Sequence, residues 1–300
     1  MAGANIVRRN LRYIIWFYLL NLLFAWWGAA GFGAQAHRIL DRSLYADGLL
    51  HGMDIAVLGE MFARPEFGSP AGSSAPATRL AVLFFLISLL FMPGVLVGYA
   101  SDHRISREEF SRICTHNLWR FLRLLCFFVI FAGIVTGVLF GIQGGVVKAA
   151  DQTSNERLPD ILQLVGLAII FMVATAIRAW FDLAQTDTVL DDQPAVRKSV
   201  AAGFRIARQN WVRLLGNYVA IALAAAAILV GGILLWHAIV PPSSVFGAFL
   251  ISQLTLFLLL AMRFWQRATA VAFYMRRLAE PAPEVQPAPA TAAQPASISR

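Results

Sequence analysis

Six stretches of this chain contain no Asp, Glu, Lys or Arg: residues 13–33, 80–99, 124–147, 161–177, 214–236 and 245–262. A membrane-spanning helix needs about 20 mostly apolar residues. Hydrocarbon supplies no hydrogen-bond partner, so a spanning backbone must bond to itself, and each stretch is expected to be a helix. The fourth is short, but Arg178 at its end can extend its side chain to the interface. The expected fold is therefore all-α: a polytopic integral membrane protein with six transmembrane helices over residues 1–278. Residues 279–300, rich in Pro and Ala, read as a disordered tail.

Composition agrees with lipid as the solvent. Hydrophobic residues make up 58% of the chain and charged residues only 14%, too few to cover a soluble domain of 300 residues. The net charge of +8 would suggest nucleic acid in a soluble protein. Here it is better explained by the basic flanks of the spans, and no nucleic-acid partner is implied.

The distribution of those flanks predicts orientation. Nineteen basic residues lie before span one, between spans two and three, between four and five, and after six, against six in the alternate segments. Lys and Arg accumulate on the cytoplasmic side, which places both termini in the cytoplasm. Arg8-Arg9 ahead of an apolar run and Ala34-Gln35-Ala36 imitates a signal peptide. The run exceeds the usual signal core and carries Trp26 and Trp27 as an interfacial anchor, so it reads as an uncleaved first span.

One phrase occurs twice. "RICTHNLWR" from Arg112 and "RIARQNWVR" from Arg205 share Arg, Ile, Asn and Arg at the same places, and "IVRRNLR" from Ile6 is a weaker copy. The first follows Ser106-Arg107-Glu108-Glu109, a capping box. The second follows Asp191-Asp192-Gln193-Pro194, which reads as a helix start. Val196, Val200, Phe204 and Ala207 then form an apolar stripe. Each phrase is expected to mark the turn from an amphipathic helix in the interface to a span. "RAWFDLA" at Arg178 also resembles "RFWQRATA" at Arg263, so the chain reads as an internal repeat of three helical hairpins.

Other features read as packing. Pro93-Gly94 should kink span two. Gly133, Gly137 and Gly141 form a doubled GxxxG, a face for close approach within the chain or between protomers of a homo-oligomer. The outer segment between spans one and two suggests helices capped by Asp47 and Asp54, then a flexible link from Gly68 to Thr78. His37, Asp47, His51 and Asp54 match no ligand spacing. Cys114 and Cys126 have no metal or nucleophile pattern and read as free thiols.

No catalytic motif or clustered carboxylates appear, so no enzyme, cofactor or metal is expected. The spans carry polar residues suited to interhelical hydrogen bonds: Asn21, Gln143, Gln163, Thr175, Asn217, Gln253 and Thr255. The candidate site is a collar at the cytoplasmic mouth, made of Arg120, Arg178, Asp182, Arg213, Arg263 and Arg267. It suits contact with membrane lipids through anionic headgroups, or with a protein partner. The alternative is a permease or channel-like transporter for a neutral or amphipathic solute, with a cavity lined by Asn21, Gln143, Asn217 and Gln253.

The pattern D-x-A-x-x-D from Asp182, followed by "DDQPAVRKSVAAGFRIARQNWVRLL", resembles a broad group of bacterial six-span membrane proteins. So does "SLYADGLLHGMD" from Ser43. The group includes the membrane domain of glycerophosphodiester phosphodiesterases and the YciC-like families. The resemblance implies an inner-membrane location and this architecture, not catalysis, because the phosphodiesterase domain itself has no counterpart here.

Overall fold

The computed structural model describes residues 2–40, 74–101, 103–153, 157–241 and 244–279. Among these it holds eight helices and no strand: α1 Ala2–Arg9, α2 Leu11–Leu40, α3 Ser74–Ala100, α4 Arg107–Ala150, α5 Leu158–Leu190, α6 Val196–Gln209, α7 Trp211–Ile239 and α8 Val245–Ala279. Six, all but α1 and α6, are long and apolar enough to cross a membrane. The outer segment from 41 to 73, with Asp47, His51 and Asp54, lies outside the described residues, as does the tail from 280. The expected flexible link is helical from Ser74 onward, as the first turn of α3.

Three helices run well past their apolar stretches, all toward the same end. α4 begins at Arg107 rather than 124. α5 continues to Leu190 rather than 177, and α8 to Ala279 rather than 262. With α1 and α6 they form a helical layer at the end that carries the basic segments, called here the basic end. The continuation of α5 is its centre: Ala179, Phe181, Leu183, Ala184, Thr186, Thr188 and Val189 are all buried. α5 packs against α3, α4, α6, α7 and α8, and α8 packs in turn against α1, α2 and α3.

Small residues set the closest approaches. A Cβ at Gly203 of α6 would lie 2.8 Å from the backbone nitrogen of Ala184 on α5. A Cβ at Gly3 of α1 would lie 2.7 Å from Oγ1 of Thr269 on α8. Aromatic rings fill the wider gaps. Phe17 meets Phe264 edge-on at 5.1 Å, and Trp180 contacts Phe131 and Phe204 at 5.1 and 5.2 Å. The Trp180 indole also donates to the carbonyl of Val200 at 2.8 Å, tying α6 to α5.

Several local expectations change. Asn10 and Asn210 do sit at breaks, between α1 and α2 and between α6 and α7. Asn117 does not: α4 passes through it without interruption. Its amide donates to the carbonyl of Ile113, one turn back, at 3.1 Å, a bond the continuous helix accommodates. Asp191 to Pro194 do not open α6, whose N-cap position is Ala195 and has no side-chain cap. Asp192 instead adopts a left-handed backbone, φ 48°, and turns the chain. The inward stripe of α6 is Val196, Ser199, Gly203, Ile206 and Ala207, while Phe204 is exposed. The small side chains face α5 because they alone permit the close contact. Ser106 caps α4 as expected, accepting from the backbone of Glu109 at 3.1 Å. Pro93 lies within an unbroken α3, and a Cβ at Gly94 would collide with Phe110 and Cys114 of α4.

Candidate functional site

α5 and α8 bring four of the six collar residues together. Arg178 and Asp182 are one turn apart on α5, and Arg263 and Arg267 one turn apart on α8, so each pair shares a helix face. Arg267 has Asp182, Arg178, Arg263 and Tyr99 as its ionisable neighbours. Arg263 is exposed at the point where the apolar surface of α8 ends; Arg178 and Arg267 are half-buried.

The single carboxylate of this group is already engaged. Asp182 is buried and accepts a hydrogen bond from the Tyr218 hydroxyl at 2.9 Å. Tyr218, on α7, has no exposed surface at all. A buried carboxylate without donors would be costly, and a buried tyrosine needs a partner for its hydroxyl, so each satisfies the other. Further along α5 the device recurs: Tyr274 of α8 donates to buried Asp187 at 3.1 Å.

The cations are less well satisfied. Nε of Arg267 is buried with no hydrogen-bond partner, and so is the hydroxyl of neighbouring Tyr99. The guanidinium of Arg267 lies 5.8 Å from the Phe264 ring centroid. Arg267 thus lies among two further guanidinium groups and one carboxylate, with an unused donor of its own. Chemically, such a group takes an anion with several acceptor oxygens, such as a phosphate or carboxylate.

Arg120 and Arg213 stand elsewhere. Arg120, on α4, pairs with Asp192 in the loop after α5, and His116 contacts the same oxygen at 3.2 Å. Arg120 and His116 hold the Asp192 carboxyl below the usual carboxylate range. Arg213 lines a cavity of about 300 Å³ between α1, α7 and α8, with Gly3, Asn217, Thr269 and Arg276.

Sequence reasoning missed Tyr218, Tyr274 and Tyr99. The available signal was a tyrosine within an apolar run, whose hydroxyl must find a partner when buried. Of the polar residues in the spans, Gln143 donates to the carbonyl of Gln163 at 2.8 Å, and Gln253 accepts from Tyr18 at 3.0 Å. These are bonds between helices. Asn217 donates to the carbonyl of Arg213 on its own helix.

Gly133, Gly137 and Gly141 have no neighbour within 4 Å of where a Cβ would be, so among the described residues the stripe packs against nothing. Cys114 and Cys126 are free, the first buried and the second exposed, and both lie on α4. No protein-family model matches the chain, and no curated protein or solved structure matches it significantly.

Proposed function

We propose that this membrane protein is non-enzymatic and acts at the cytoplasmic leaflet of a bacterial inner membrane, binding anionic lipid headgroups through Arg178, Arg263 and Arg267. The basic end then faces the cytoplasm, as the excess of Arg in its segments favours. The likeness to the membrane domain of glycerophosphodiester phosphodiesterases supports the same location.

One observation carries the reading: Arg267 has two further guanidinium groups but one carboxylate as neighbours, and that carboxylate already accepts from Tyr218. The cluster therefore keeps a positive excess at the level where a bilayer's phosphates would lie. Hydrogen bonds to charged groups are worth about 1.5–3 kcal/mol each, so losing one guanidinium should weaken headgroup binding about tenfold or more.

The test is native mass spectrometry of the protein extracted gently from its own membrane, beside the Arg178→Gln/Arg263→Gln variant. Anionic phospholipid retained on the parent, with fewer molecules retained on the variant, is the expected result. The same lipid profile on both would refute the proposal.

A further inference from the structure

Two cavities at the basic end meet at one residue. The first is an open groove of about 680 Å³ between α2, α3 and the start of α4. Its walls are Trp16, Phe17, Leu20, Phe91 and Phe110, and buried Ile105 from the α3–α4 loop lines it as well. The second is a cavity of about 440 Å³ lined by Arg8, Arg9, Arg12, His103 and Arg104. Arg12 lines both. Its guanidinium lies 4.8 Å from the Tyr13 ring centroid and donates to the Tyr13 hydroxyl at 2.9 Å, so it is held at the junction. That bond uses one of its five donors. Arg107 adds a further cation at the rim of the groove.

We infer that the groove and the basic cavity together form a site for one anionic phospholipid, with an acyl chain against Trp16, Leu20 and Phe91 and its phosphate at Arg12. The apolar volume is of the size that ligand pockets have. An apolar trough ending in a cluster of guanidinium groups matches an amphiphile whose charge sits at one end. A free phosphate would use the basic cavity and leave the groove unused; an uncharged lipid would do the reverse. The site uses α1, α2, α3, the α3–α4 loop and the start of α4. It shares no residue with Arg178, Arg263 and Arg267, so it stands or falls separately from the headgroup cluster.

Lipid exchange measured by native mass spectrometry in a non-ionic detergent separates the cases. The probe is dioleoyl phosphatidic acid, with dioleoyl phosphatidylcholine and inorganic phosphate as comparisons. In the Arg178→Gln/Arg263→Gln background, which removes the headgroup cluster, the chain should still retain one phosphatidic acid at low lipid ratios, in preference to phosphatidylcholine, and inorganic phosphate should not displace it. Leu20→Trp, which fills the groove at a partly exposed position, and Arg12→Gln should each weaken that binding at least tenfold. Equal melting temperatures of parent and variants in the same detergent show that the fold is kept. Undiminished retention by Leu20→Trp overturns the proposal, as does displacement by inorganic phosphate. Loss of all phosphatidic acid from the Arg178→Gln/Arg263→Gln background also overturns it, and leaves the headgroup cluster as the lipid site.

Discussion

Gly203 and Gly137 are both helical glycines, yet their surroundings are opposite. At Gly203, in the basic end, the backbone of Ala184 is so close that even a methyl group has no room. At Gly137, in the apolar half of α4, none of the described residues comes within 4 Å of where a Cβ would be. The same contrast runs through the molecule. Ile14, Leu96, Leu124, Leu183, Leu214, Tyr218 and Val271 are fully or almost fully buried and belong to the three apolar clusters at the basic end. Ile130, Ile134, Ile142, Val230 and Leu234, farther along α4 and α7, are more than half exposed.

The solvent explains the difference. Where helices project beyond a bilayer, water surrounds them and apolar burial drives them together. Within a bilayer, lipid tails are as apolar as Leu, so burying Ile134 against another helix gains little. There the chain relies on specific polar pairs such as Gln143 with Gln163 and Tyr18 with Gln253.

The largest expected effect tests the tight end. Gly203→Val should push α6 off α5, because the obstructing atom is backbone and cannot rotate away. Overpacking of this kind costs about 1–3 kcal/mol, and the displacement also uncovers part of Val196, Ile206 and Ala207. A clear fall in melting temperature in detergent is the expected reading. Faster proteolysis between residues 190 and 210 should accompany it. Parent-like stability would mean that α6 is not packed on α5.

A smaller effect tests the polar centre of the same region. Tyr218→Phe removes a hydroxyl and leaves the ring in place. Asp182 then loses the donor it has from α7 while remaining buried. An unsatisfied buried acceptor costs about 1–3 kcal/mol. The double variant Tyr218→Phe/Asp182→Asn should cost less than the sum of the two single changes, since the two groups serve each other. Strict additivity of the melting data would argue that they do not interact.

The two regions also differed in how far they could be read from sequence. The spans were legible because hydrocarbon imposes a single requirement, about 20 residues without charge, and six stretches met it. The basic end was not, because its packing depends on which small side chain faces which neighbour. The stripe expected on α6 included Phe204, but the buried face is set by Ser199 and Gly203. The repeated phrase failed in an instructive way. Asn210 and Asn117 occupy the same place in it, and only Asn210 lies at a break. An Asn side chain bonded to the carbonyl one turn back is compatible with a continuous helix, so the phrase alone cannot specify a bend. Of the collar, Arg178 and Asp182 lie four apart on α5, and Arg263 and Arg267 four apart on α8, so each pair shares a helix face. Arg120 was drawn away by Asp192, a residue assigned to a helix start until its left-handed backbone placed it in a turn.

The smallest expected effect sharpens the comparison most. Gly137→Leu adds a large apolar side chain where the described residues offer no neighbour, so the monomer should lose no more than about 0.5 kcal/mol. Gly is also a poor helix former, which offsets part of any cost. Melting temperature should therefore stay at the parent value, in contrast to the fall at Gly203. The same variant reports on what covers the stripe of Gly133, Gly137 and Gly141. If a second copy packs there, native mass spectrometry should show an oligomer in the parent that Leu at 137 abolishes, while the fold remains intact. If lipid covers it, the parent and the variant should have the same mass and the same stability. A large loss of stability in a monomeric parent would contradict the open face itself, and with it the division of the molecule into a packed end and a lipid-facing half.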